Sequence, residues 1–381
     1  MIGLPDEGQL LLLDAALGQG ESAAQSWAEW EQRYKLDRPD EGSFRLLPLV
    51  YRNLAAQGFS GPEWNRLKGI HRRAWSENQV LFHRVRPLVE GLAARDIPVM
   101  LLKGAALASL VYPDAGCRPM RDVDLLVPAK FAPEAFRLVE ERGAKSLYFR
   151  PRDISDGFLR FRHAMDFELG GGGFVDLHWH VLHLCCHESA DALFWEETEA
   201  FQFGGLEVET CGATGQLLQI CTHGIVWSPV PPVRWIADAV LLLRSGRVVD
   251  WKKLAAAAER WDIVPYARHA LAILRERFAA EIPAWVVEDL GRAPVSGAAQ
   301  AEFARECAPA DPRTAWQDLL SFYARWRRSL GGASAAANAA GFARHLQYAF
   351  ELSSPWKLPV QFAKSAIRRA GAGGSPHPPS L

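Results

Sequence analysis

The sequence is poor in the features that mark secreted or membrane proteins. Its 381 residues hold only six cysteines (Cys117, Cys185, Cys186, Cys211, Cys221 and Cys307), too few for a disulfide framework in a chain of this length. No apolar run approaches the roughly 20 residues of a membrane-spanning helix. The segment IADAVLLL is short and carries Asp238. The opening MIGLPDEGQLLLL places acids, and no Lys or Arg, before its apolar run, the reverse of a secretory n-region. A cytoplasmic protein with no membrane partner is therefore expected. An excess of either charge is missing as well: Lys and Arg number 43 against 44 Asp and Glu, a net charge of -1. Nothing global drives the chain toward nucleic acid, although a local basic groove is left open. No tandem repeat is visible, so a solenoid is not expected.

What is present suits a soluble globular chain: 49% hydrophobic and 23% charged residues. At about 150 residues per domain, the length suggests two to three domains. Residues 1–95 read as a helical N-terminal segment. From Pro62 to Arg95, Leu67, Ile70, Ala74, Leu81, Val85, Leu88, Val89 and Leu92 recur mostly three or four apart, the helical period, with Pro87 as a point of kinking or division. The pattern changes over 96–212. IPVMLLK is short, apolar and ends at Gly104, a buried strand; AALASLV reads as a short helix; YPDAGCRPMR is a loop; DVDLLV is a second strand; and Pro133 opens a helix to about Arg142. RHAMDFEL and FVDLHWHV flank four glycines at 170–173 as a hairpin, and AFQF-GG-LEVET reads as a smaller one. A helical domain is expected over 213–355, with Thr214 as its first N-cap. Residues 356–381 read as a basic helix followed by a disordered tail.

The carboxylates carry the chemistry. Asp122 and Asp124 are two apart in a strand and so share a face, while Val123, Leu125 and Val127 take the other. Asp176, His178 and His180 likewise share a face in FVDLHWHV. If the two strands are neighbours, three aspartates meet. Carboxylate oxygens suit a hard cation such as Mg²⁺, which keeps waters and bridges phosphates. Upstream, a strand ends at Lys103-Gly104 and a helix begins at once. The free amides of a helix N-terminus bind phosphate, and glycine permits close approach. A lone Asp-x-Asp is most often a solvated strand end, so it is the combination that points to a site.

This order of strand, Gly turn, helix, loop, Asp-x-Asp strand and distant Asp strand resembles the DNA polymerase β-like nucleotidyltransferase superfamily. More narrowly, LLKGAALASLVYPDAGCRPMRDVDLLV and VDLHWHV, over roughly 95–182, resemble its little-characterised bacterial branch of nucleotidyltransferase family proteins. A weaker likeness continues through CTHGIVW and VRWIADAVLLL, near His223 and Asp238. The resemblance implies an α+β fold: a mixed-sheet nucleotidyltransferase core between helical segments. It also implies transfer of a nucleoside monophosphate from an NTP such as ATP, with Mg²⁺ or Mn²⁺ as cofactor. By the same likeness Asp122, Asp124 and Asp176 are metal ligands and catalytic acids, and the triphosphate lies at Lys103, Gly104 and Ala105. The acceptor hydroxyl is not specified; a modified peptide, a protein, RNA and a small molecule are all compatible. The superfamily's Gly-Ser turn is here Gly104-Ala105, so backbone amides and a cation from Lys103, Arg118 or Arg121 must serve in place of the hydroxyl.

HWHVLHLCCHE is rich in zinc-ligating types, but strand-partner histidines and adjacent cysteines do not suit one tetrahedral site. His178, two residues from Asp176, is better placed to orient that acid. The glycine hairpin leaves its register open. A two- or four-residue loop pairs His163 with His180 and Phe167 with Asp176, whereas a three-residue loop brings Asp166 or Glu168 onto the acid face. Arg234 and Asp238, four apart, read as a local salt bridge.

Overall fold

In the computed structural model, residues 5–146, 156–228, 233–307, 315–331, 339–349, 352 and 354–361 are described. The helical period after Pro62 builds one helix, Trp64–Ala93, which buries Leu67, Ala74, Leu81, Val85, Leu88, Val89 and Leu92. Pro87 lies inside this helix and does not divide it. The chain then enters a seven-stranded mixed sheet. Its strands are β1 (Met100–Leu102), β2 (Asp122–Leu126), β3 (Lys145–Ser146), β4 (Ala164–Glu168), β5 (Phe174–His178), β6 (Thr198–Phe203) and β7 (Leu206–Cys211). Their order is β3-β4-β5-β2-β1-β7-β6. β2 runs parallel to β5 and antiparallel to β1, so the Asp-x-Asp strand sits between the Lys-Gly strand and the Asp176 strand.

Alternation decides what each face meets. Val123, Leu125, Val175, Leu177 and Phe167 bury one face against the second half of helix Trp64–Ala93 and against Phe136 and Val139 of helix Ala132–Glu141. The opposite face, with Leu126 and Leu102, joins a larger core. That core is built from the N-terminal helices Glu7–Leu17 and Leu47–Ala56 and from the later helices Ala213–Gly224, Arg234–Arg244 and Val264–Phe278. The fold is α+β, with helices on both sheet faces. The acids lie on the face toward the larger core, at its edge.

The glycine hairpin is held by its backbone. Gly171, Gly172 and Gly173 have φ of 84°, 99° and 90°, a region that other residues rarely adopt. The Leu169 amide donates to the Gly173 carbonyl at 2.9 Å. From helix Trp64–Ala93, Arg84 donates to the Gly172 carbonyl at 2.7 Å and Arg86 to the Gly204 carbonyl at 3.0 Å, so one helix pins both hairpin tips.

Two local expectations are corrected. Thr214 is not the N-cap: helix Ala213–Gly224 starts from Gly212, and the Thr214 hydroxyl instead accepts the Asp250 amide at 2.9 Å. Arg234 does not take Asp238 as its main partner. It donates to the Pro119 carbonyl at 2.5 Å, while Asp238 holds Arg118. The expected tail at 371–381 and the basic segment beyond residue 361 lie outside the described residues. Among the described residues no helix is long and apolar enough to cross a membrane.

Candidate active site

Strand register lines up the acids. Asp124 is paired with Asp176 across β2–β5, Asp176 with Asp166 across β4–β5, and Leu102 with Asp124 across β1–β2. Paired residues point to the same face, and neighbouring strands are about 4.8 Å apart. Asp166, Asp176 and Asp124 therefore form one row. The hairpin takes the register that brings Asp166 onto this face. Asp122 lies two residues before Asp124 on the same face, exposed at the mouth, while Asp124 is buried.

His178 ties the row together. Its Nε2 lies 3.1 Å from Asp124 Oδ1 and 2.9 Å from Asp176 Oδ2. Its Nδ1 lies 3.2 Å from the carbonyl oxygen of His180, which can only accept. Both ring nitrogens thus donate, and the imidazole carries two protons. Burial is the largest influence and opposes this charge, but Asp176 and Asp124 together outweigh it and the pKa is pushed up to about 9. Lys103 adds a second cation, with Nζ 2.6 Å from Asp124 Oδ1. Lys103 has φ 44°, left-handed and unusual for a side-chain-bearing residue, at the point where strand becomes helix.

These partners divide the acids electrostatically. For Asp124, burial is outweighed by Lys103 and His178, which hold its carboxyl well below the ordinary range. For Asp176, burial is outweighed by His178 and the carboxyl again falls. Asp166 goes the other way: burial and then the charge of Asp176 push it up to about 7. Asp122 is raised too, by desolvation and then by Asp124, although the residue as a whole is exposed.

Donor atoms of Asp124, Asp176 and His178 lie within 4.8 Å of one another. Asp176 Oδ1 is buried and takes no hydrogen bond from the described residues. A buried oxygen without a partner is costly, and a cation, a substrate hydroxyl or the carboxyl proton of the neighbouring Asp166 would satisfy it.

The turn is built around Gly104. Helix Lys103–Leu110 begins from Leu102 with no side-chain cap, so its first amides have no local acceptor. A Cβ on Gly104 would stand 2.5 Å from Arg118 Nη1 and 3.0 Å from Met120 Sδ, which is why glycine is needed. Arg118 is buried beneath the turn. Its Nε and Nη2 each donate to Asp238 at 2.8 Å, and Tyr112 donates to Asp238 at 2.6 Å. Its fork is therefore largely occupied. Arg121 is exposed and stands 3.5 Å from Glu41. Ala105 is fully buried in the core, so the side-chain position next to the glycine does not line the cleft.

The loop before β2 is anchored twice. Asn78, fully buried on helix Trp64–Ala93, donates to the carbonyls of Ala115 at 2.6 Å and Arg118 at 2.9 Å, and accepts the Met120 amide at 3.1 Å. Asp114 takes His71 at 2.8 Å and Arg52 at 3.2 Å. No periodicity argument could single out Asn78, because its partners are backbone groups about 40 residues away.

The histidine-rich segment does not gather into one site. His178 joins the acids, His180 lies 2.6 Å from Asp191, and His187 accepts the Ser189 amide at 3.1 Å.

A family model described as an uncharacterised nucleotidyltransferase matches residues 43–279. No curated protein matches the chain. Among solved structures, an antigenic nucleotidyltransferase-like protein from Paracoccidioides brasiliensis is similar at 14% identity and a TM-score of 0.32, over 59% of this chain and 95% of that one.

Proposed function

This chain belongs to the family of uncharacterised nucleotidyltransferases, and from that premise we propose that its acid row transfers a nucleoside monophosphate from an NTP to an acceptor hydroxyl. The observation that carries the reading is the buried, unpartnered Oδ1 of Asp176 beside Asp124 on one sheet face. Asp124 and Asp176, whose oxygens lie together, and Asp122, two residues along the same face, would hold Mg²⁺ or Mn²⁺, since carboxylate oxygens suit such hard cations. When bound, the cation supplies neutralisation of phosphate charge and a lower pKa for the attacking hydroxyl.

In this reading the chain's own groups do the positioning. The first amides of helix Lys103–Leu110, at Lys103, Gly104 and Ala105, face the triphosphate. Arg121, exposed beside Glu41, would leave that acid to reach it. Arg118 acts from below, by fixing Gly104. Asp176 accepts the hydrogen bond of the acceptor hydroxyl, and His178 holds Asp176 and Asp124 in register. The acceptor hydroxyl gives its proton to Asp176 as its oxygen bonds to the α-phosphorus, the bond to the bridging oxygen breaks, and pyrophosphate leaves. The acceptor class (peptide, protein, RNA or small molecule) is open.

A second reading, a catalytically silent nucleotide-binding scaffold, draws on one observation. Asp124 Oδ1 already holds Lys103 at 2.6 Å and His178 at 3.1 Å, so a cation must compete with two resident donors. Incubation with α-labelled NTPs, Mg²⁺ or Mn²⁺, and cell extract as acceptor source separates the two. Label should move to an acceptor with the wild type but not with Asp124→Asn or Asp176→Asn. Transfer at the wild-type rate in both variants would overturn the catalytic reading.

A further inference from the structure

Behind the acid row, His178 borders a second polar pocket, between the sheet and helix Ala213–Gly224. We propose that this pocket is an oxyanion subsite that takes one oxygen of a phosphate or carboxylate carried by a substrate. Its walls include Lys103, His163, His183, Gln219 and His223. Gln219 is 3% exposed, and its Nε2 is buried with no hydrogen-bond partner among the described residues. A buried amide N–H on the wall of a cavity calls for an acceptor. Gln219 and His223 are four apart on one helix and so share a face.

The histidines run as a connected series toward solvent. Ring centroids are 5.4 Å apart for His178–His163, 5.9 Å for His163–His183 and 6.0 Å for His183–His223. His223 is exposed, so the series opens to the surface. A neutral imidazole donates one N–H, an ammonium three and an amide two, and among the described residues no carboxylate lines the pocket. Beside it, Asp124 Oδ1 holds Lys103 and Asp176 Oδ2 holds His178. The cavity is about 10 Å³, room for one water-sized group, so a single oxygen enters while the rest of the group stays on the His223 side.

The role of this subsite in placing a substrate rests on the nucleotidyl-transfer reading above; the binding of an oxyanion does not.

The probe is inorganic phosphate, titrated in EDTA against the full-length chain and followed by thermal shift and calorimetry. The wild type and Asp122→Asn should bind phosphate saturably. Gln219→Leu and His223→Ala should melt like the wild type without phosphate and bind it about tenfold more weakly or worse. Because His223 is exposed, His223→Ala keeps the test valid if Gln219→Leu does not fold. No binding to the wild type at tens of millimolar, or equal binding to both pocket variants, would overturn the subsite. Phosphate binding that persists beside a non-hydrolysable NTP with Mg²⁺ assigns the subsite to the acceptor, and competition assigns it to the nucleotide's terminal phosphate. Either result supports the subsite. If phosphate binds as expected but no label is transferred, the subsite stands and the catalytic reading falls. Transfer with Gln219-independent phosphate binding gives the reverse.

Discussion

Asp238→Ala should be among the most damaging single substitutions outside the acid row. Arg118 and Asp238 are each 5% exposed, and the carboxylate takes two bonds from the guanidinium at 2.8 Å and one from Tyr112 at 2.6 Å. Truncation leaves a buried guanidinium uncompensated, at about 3–5 kcal/mol, and a phenol without its acceptor, at about 1–3 kcal/mol. At about 2 °C per kcal/mol for a chain of this size, the two losses together should lower Tm by on the order of 8–16 °C. The decisive measurement is a double-mutant cycle by thermal melting. Arg118→Met with Asp238→Leu replaces the pair by apolar side chains and should be less damaging than Asp238→Ala alone. Because Arg118 Nη1 packs over Gly104, the single variant should also weaken NTP binding. An Asp238→Ala protein that melts within about 1 °C of the wild type, or a double variant whose loss equals the sum of the singles, would refute this account of the latch.

The remaining predictions concern the site. His178 has a raised pKa, about 9, so its stabilisation is complete below about 6.5 and is lost as pH rises through 9. Tm in EDTA should therefore fall over that window in the wild type, and His178→Gln should flatten that part of the profile. Asp122→Asn should raise Tm slightly near neutral pH, because the Asp122 carboxyl is raised by desolvation and by Asp124. Asp124→Asn should lower Tm by the equivalent of about 3 kcal/mol, because it leaves Lys103 and His178 without their shared partner. Gly104→Ala should cost about 1–3 kcal/mol by forcing Arg118 and Met120 aside, measured as a Tm loss accompanied by weaker NTP binding.

Much of the sheet was legible because alternation and glycine punctuation are local. Asp122 and Asp124 on one face, the strand ending at Lys103 and the glycine hairpin all follow from spacings within ten residues of each other. Which strands become neighbours is not local, and the meeting of Asp124 with Asp176 came from a family likeness rather than from spacing. The hairpin register lay between, because a one-residue slip exchanges Phe167 for Asp166 on the acid face. The positive φ values of Gly171 to Gly173 and the clamp from Arg84 decide it, and neither is visible in a strand pattern. Charge partners were the least legible. The sequence treats Asp122 and Asp124 as equivalent, whereas Lys103 and His178 select only Asp124. Arg234 is four residues from Asp238, yet a distant Arg118 takes that acid with two bonds.

The central claim is that the acid row directs attack to the α-phosphorus of a nucleotide. Parallel reactions with α-labelled and γ-labelled NTP, in Mg²⁺ or Mn²⁺ with cell extract as acceptor source, test it most directly. α-Label should become attached to an acceptor while γ-label leaves as pyrophosphate, and both should be abolished in Asp124→Asn and Asp176→Asn. Attachment of γ-label, or an NTP that neither binds nor raises Tm at millimolar Mg²⁺ in the wild type, would contradict it.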